Sequence, residues 1–187
     1  MKYMGGKFFL CKEISKVMKS LVPPTEVDLY LEPFCGALNV LKLMNEDYQC
    51  FASDYHPDLI QLWKEVQNDT FIPPENVDLE FYEECKKLES PSSLKAFVGF
   101  NMSFGGNYYS GYADKYKKEK KEDFLGEAKN SLKKMKGKIN DVEFQCLSYD
   151  SLQPTNSLIY CDPPYGSTKF PIRYRTDTKH YDIFDND

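Results

Sequence analysis

Apolar residues recur at helical spacing over 9–21, as Phe9, Ile14, Val17, Met18 and Leu21. That spacing predicts an amphipathic helix, ended by Pro23-Pro24. The pattern then changes to short apolar runs over 27–31, 48–53, 142–147 and 157–161, which predict strands covered on both faces. Helical stretches separate them, at 37–45 and 57–68. Pro73-Pro74 opens a mainly helical insert with further helices at 79–88 and 93–100. A lysine-rich helix is predicted at 121–137. Strands alternating with helices define an α/β chain with a parallel sheet. Residues 1–60 and 140–187 make one domain on this reading, and 61–139 the helical insert. No repeat and no low-complexity linker interrupts the pattern.

Composition narrows the class. A chain of 187 residues can bury a real core. No apolar run approaches the roughly 20 residues that span a membrane, and Phe8-Phe9-Leu10 is too short for a signal-peptide core. The six cysteines form no C-x-x-C pair and no metal spacing with the two histidines. A reduced, intracellular, cytoplasmic setting without a metal is the expectation. The net charge of −5 argues against a surface coated for nucleic acid. The charge is uneven, however. Ten lysines against four acids make residues 115–138 +6 and leave the remainder at −11. Such a stripe is either a phosphate-contacting surface or a solvated helix face with Glu–Lys pairs.

The sharpest chemical signal is Asp162-Pro163-Pro164-Tyr165, following the apolar run Ser157-Leu158-Ile159-Tyr160-Cys161. Each proline fixes φ and removes an N–H, so the carbonyls stay available as acceptors. The carboxylate adds acceptors, and the tyrosine ring adds a flat face. An exocyclic amine on a planar base needs that set of groups; a plain proline-rich turn is the other reading. Near the N-terminus, Glu32-Pro33-Phe34-Cys35-Gly36 lies between an apolar strand and an apolar helix, as in the first unit of a doubly wound sheet. Gly36 permits close approach of a ligand to the backbone. About twenty residues on, Asp54 ends the second strand, where an acid binds ribose hydroxyls or caps the next helix. Residues 101–112 hold three glycines, three tyrosines and no charge. They read as a mobile loop of stacking and hydrogen-bonding groups, or as an ordinary Gly/Asn loop.

Together these blocks resemble the Dam-type DNA adenine-N6 methyltransferases, which use S-adenosylmethionine. Lys2-Tyr3-Met4-Gly5-Gly6-Lys7 is similar to the family's N-terminal cofactor motif. Glu32-Pro33-Phe34-Cys35-Gly36 is similar to its cofactor loop, Ser53-Asp54 to its ribose-binding acid, and Asp162-Pro163-Pro164-Tyr165 to its catalytic motif. The order is the family's alpha arrangement, and the resemblance spans residues 2–165. It implies a Rossmann-like sheet and a cofactor site of Tyr3, Met4, Gly5, Lys7, Glu32, Pro33, Phe34, Gly36, Asp54, Asp150 and Asp162. Asp150 would meet the cofactor's adenine amine. Asp162, Pro163, Pro164 and Tyr165 would be catalytic, with the target adenine flipped from double-stranded DNA and stacked on Tyr165. Asn101, Ser103, Asn107, Tyr108 and Tyr109 would lie over the DNA and the flipped base. Lys117, Lys118, Lys120 and Lys121 would meet phosphates.

Two departures stand out. Ala37 and Leu38 occupy positions where the family's loop often has a second glycine. The family's sheet also continues after the catalytic motif, whereas this sequence runs only 22 residues past Tyr165. Its end, Phe184-Asp185-Asn186-Asp187, reads as the start of a helix with Asp185 as cap. The expectation is a sheet whose C-terminal strands are supplied by a missing half, by a second chain or by self-association. The alternative functions are an inactive cofactor- or DNA-binding remnant and an RNA adenine-N6 enzyme. A cytosine-N4 enzyme would more often carry Ser, and a protein glutamine methyltransferase Asn, where Asp162 stands.

Overall fold

The structure, a computed structural model, describes residues 1–113, 116–117, 120–121 and 123–164. The chain runs α1 (Cys11–Leu21), β1 (Leu29–Glu32), α2 (Leu41–Met44), β2 (Gln49–Asp54), α3 (Pro57–Gln67), α4 (Leu79–Lys86) and α5 (Ser93–Asn101). It continues through the short strands β3 (Tyr116–Lys117) and β4 (Lys120–Lys121), then α6 (Phe124–Met135), β5 (Glu143–Cys146) and β6 (Ser157–Ile159). This is a mixed α/β fold: a parallel sheet flanked by helices, consistent with a Rossmann-like methyltransferase core.

The sheet order is β5-β2-β1-β6, and every pairing is parallel. Leu31 pairs with Phe51 on one side and Ile159 on the other. The chain leaves β1 toward β2, and after β5 it crosses to the opposite side of β1. The C-terminal ends of β1 and β6 therefore border a topological switch point, where open α/β sheets place their ligands. Tyr30, Leu31 and Glu32 in central β1 are buried. Strand β6 is outermost among the described residues and is half-buried to exposed, less covered than an apolar run suggests.

Local chemistry explains most element ends. Asp78, Ser92 and Asp123 cap α4, α5 and α6 by accepting the N–H of Phe81, Lys95 and Gly126. Pro57 opens α3, where its missing N–H costs nothing. One expected helix is largely absent: residues 37–45 yield only the turn Leu41–Met44. Leu38 has φ 55°, and Gly36 has φ 44°. Two left-handed residues in three force the chain through tight turns before a helix can begin. The β3–β4 hairpin was not foreseen from the apolar pattern, since its residues Tyr116–Lys117 and Lys120–Lys121 carry no alternation.

A single apolar cluster runs from the sheet into the insert. Trp63, Tyr82, Phe97 and Phe100 lie in it fully buried. Asp58, at the start of α3, is buried too. Its carboxylate accepts from Tyr108 Oη (2.7 Å), Ser92 N (2.7 Å) and Ser90 Oγ (3.0 Å). That carboxylate ties the sheet side of the molecule to α5 and to the segment after it.

Candidate active site

Five segments meet at the C-terminal end of the sheet. The loop after β1 is fixed on several sides. Cys35 N donates to Ser53 O at 2.9 Å, and Ser53 Oγ to Pro33 O at 3.4 Å. Gly36 N donates to Asp54 Oδ2 at 3.0 Å, and Trp63 Nε1 donates to Gly36 O at 2.9 Å. Gly36 is required here for two reasons. Its φ is positive, and a Cβ would lie 2.8 Å from the Tyr3 ring. Asp54 also accepts from His56 N at 3.1 Å. Both of its oxygens thus hold backbone.

Glu32 is buried against the Tyr30 hydroxyl, which donates to Oε2 at 3.1 Å. Burial pushes its carboxyl up to about 8, reinforced by the charge of Asp162 and opposed by the Tyr30 hydrogen bond and the Leu41 backbone. It is an acid that holds its proton near neutrality. Beyond β5, the turn 149–151 brings Tyr149 against Phe34, ring centroids 5.4 Å apart and tilted 33°. Asp150 beside it is exposed. Tyr149 is a site residue that motif reading missed; its position next to Asp150 was the available signal.

The N-terminal segment completes the site. The Tyr3 ring packs on Gly36 and on Phe100 (5.0 Å). Met4 N donates to Gly106 O at 3.2 Å, and Gly5 has φ 80°. Lys7 Nζ donates to Asp162 Oδ1 (2.6 Å) and Oδ2 (2.5 Å), and to Gly5 O (2.9 Å). Both side chains of this ion pair are mostly covered, at 20% and 16% exposure. The structure thus sets Lys7 on the acid of the catalytic motif, where the sequence reading grouped it with the cofactor residues. Pro163 and Pro164 follow, half-buried. Tyr165 lies outside the described residues, as do Lys118 and the 184–187 helix start.

The segment 101–112 leaves α5 as a loop of turns, as expected, but much of it packs inward. Asn101, Ser103, Tyr108 and Tyr109 are all buried. Asn101 Oδ1 accepts from Lys2 N at 3.0 Å, and its amide donates to Phe97 O at 2.8 Å. Ser103 Oγ pairs with Tyr82 Oη at 2.8 Å. Tyr109 Oη donates to Lys95 O at 3.1 Å. Gly99 explains the packing, since a Cβ there would sit 2.5 Å from both Tyr108 and Tyr109 rings. Each of these polar groups thus has a hydrogen-bond partner within the molecule. Asn107 is half-buried, with its Oδ1 unpaired. Lys117, Lys120 and Lys121 lie on the β3–β4 hairpin. His56, two residues past Asp54, was not anticipated either. It is 2% exposed, with neither ring nitrogen hydrogen-bonded, between Phe100 and Tyr108. Burial lowers it to about 4, opposed by the charge of Asp58.

The model of the D12 class N6 adenine-specific DNA methyltransferase family matches residues 3–105 and 96–182, so the chain belongs to that family of methyltransferases. Among individual proteins, it is 27% identical over 201 residues to a DNA adenine methylase of Vibrio cholerae serotype O1, across 89% of this chain and 64% of the relative. It is 25% identical over 222 residues to the Type II methyltransferase M.MjaIII of Methanocaldococcus jannaschii, across 100% of this chain and 75% of the relative. The chain therefore spans 64% of the length of the first of these relatives. Among the described residues, no helix is long and apolar enough to cross a membrane.

Proposed function

We propose that the chain methylates N6 of adenine in double-stranded DNA at this site. The observation that carries the reading is the meeting of the Gly36 loop with the turn that carries the exposed Asp150, through Phe34 and Tyr149, and with Asp162, through Tyr3 and Lys7 of one short segment. The residues present suit S-adenosylmethionine, which supplies a methyl group on a sulfonium. Phe34 and Tyr149 offer flat faces, Asp150 an exposed carboxylate for an amine, and Asp54 a carboxylate at the strand end. Gly36 lets the loop backbone approach a ligand closely.

On the substrate side, the amine of adenine is a weak nucleophile because its lone pair is delocalised into the ring. Asp162 and the Pro163 carbonyl accept its two N–H bonds and draw the nitrogen toward tetrahedral geometry. The lone pair is then aimed, and alignment supplies much of the rate. Lysines of α6 and of the β3–β4 hairpin meet the phosphates.

Calorimetry with S-adenosylhomocysteine should give binding that Asp54→Ala weakens at least tenfold. Asp162→Ala should leave that binding within threefold and abolish transfer. Mass spectrometry of digested DNA should report N6-methyladenine. N4-methylcytosine would refute the base assignment, and methylation of RNA alone the substrate. Binding without any transfer would mark the chain as a cofactor-binding remnant.

A further inference from the structure

The first seven residues touch α6, the insert, the Gly36 loop and Asp162. The Met1 ammonium donates to Ser131 Oγ on α6. Lys2 lies over the Phe124 ring, 3.3 Å from its centroid, and pairs with Glu127 at 3.7 Å. Its backbone N–H holds Asn101 of α5. Tyr3 fills the space above Gly36, and Met4 is bonded to Gly106. A Cβ at Gly106 would meet Tyr3 N at 2.6 Å, so strap and insert are in direct backbone contact. The segment ends on Asp162 through Lys7.

We propose that residues 1–7 form a strap linking the lysine-rich helix and the insert to the catalytic carboxylate, with Lys7 as the positioning residue at its end. The inference rests on Asp162 being the acid that receives the substrate amine. A lysine ammonium has three donors, and here three acceptors meet them: Gly5 O and both oxygens of Asp162. Lys7 therefore fixes the plane of the Asp162 carboxylate. Displacement of the strap by a nucleic acid on α6 would reach Asp162 through six residues of short, bonded chain. That makes the acid's orientation depend on what the lysine-rich helix holds.

The test compares Lys7→Met, Lys7→Arg and Asn101→Ala in the full chain. Lys7→Met is expected to lower kcat at least tenfold, with KM for duplex and the affinity for S-adenosylhomocysteine within threefold. Lys7→Arg, which can make the same bidentate pair, should restore at least a third of the lost rate. Asn101→Ala, which frees the strap at Lys2, should lower kcat in the same direction without changing cofactor affinity. A tenfold loss of S-adenosylhomocysteine affinity in Lys7→Met would make Lys7 a cofactor residue and overturn the proposal; so would an unchanged kcat in Asn101→Ala. The pair is also read without turnover, by melting the Lys7→Met, Asp162→Asn and doubly substituted chains. The two substitutions should be clearly non-additive, and additive shifts would overturn the ion pair. A wild-type chain that transfers no methyl group would sink the proposed function instead. The melting and affinity results would then still decide the role of Lys7.

Discussion

Glu32 and His56 are buried ionisable groups pushed in opposite senses, to about 8 and about 4 respectively. Glu32 keeps its proton in the native state while the unfolded chain releases it, so its share of stability is present below about 4.5 and is lost as pH rises toward 8. His56 stays neutral while the unfolded chain binds a proton, so its share is present above about 6.5 and is lost as pH falls toward 4. The buried Met1 ammonium, lowered to about 6, adds a term that is lost as pH falls from 8. Difference measurements separate these contributions. Between pH 6.5 and 8, Glu32→Gln should gain about 2 kcal/mol relative to wild type in urea unfolding. A parallel pair of curves would show that Glu32 is ionised in the native state. His56→Phe should flatten the acid side in the same comparison. At Gly36, alanine must adopt φ 44° and push the Tyr3 ring away, so Gly36→Ala should destabilise by about 2–3 kcal/mol. Unfolding midpoints measure that loss, and a shift under 0.5 kcal/mol would mean that Tyr3 is not seated as described.

Helices and strands were legible to the extent that one apolar face decided them. Strand β2, helix α3 and helix α5 fall within one residue of their expected bounds, because short apolar runs and proline or serine starts act locally. The helix expected at 37–45 failed because Gly36 and Leu38 turn left-handed, and Gly36 is held by Asp54 and Trp63, both distant in sequence. The burial within the 101–112 loop was not legible for a related reason. Glycines and tyrosines suggest a loop surface, but Gly99 opens a slot on α5 that the two tyrosines fill. Asp58 carries no motif signal in the sequence. Its burial and three hydrogen bonds make it the joint between α3 and α5, so Asp58→Ala strands the Tyr108 hydroxyl and the Ser92 N–H. Each orphaned group costs about 1–3 kcal/mol. Chemical denaturation should show a loss of about 3 kcal/mol, with Asp58→Asn losing less because it still accepts. An alanine chain as stable as wild type would mean that water replaces the carboxylate without loss.

Across the molecule, the four motif blocks lie far apart in sequence and meet only because a parallel sheet gathers strand ends on one edge. That gathering was readable from strand–helix alternation. What it left open was the pairing of Lys7 with Asp162, since two charges 155 residues apart carry no local signal. The charge asymmetry has the same global character. On α6, Leu125, Ala128, Leu132 and Met135 are buried, while Lys133 and Lys134 face solvent. Lys136 and Lys138 also face outward, paired with Asp69 and Glu46. A −5 molecule with this one basic ridge should bind duplex through it, and such binding releases counterions in proportion to the phosphates engaged. Replacing both Lys133 and Lys134 by Gln should therefore reduce the slope of log affinity against log salt by about 2, and weaken binding equally for target and non-target duplexes. Fluorescence anisotropy at several salt concentrations reads both quantities. If the slope is unchanged while affinity for the target alone falls, these lysines read sequence or shape the insert, and the phosphate contacts lie elsewhere.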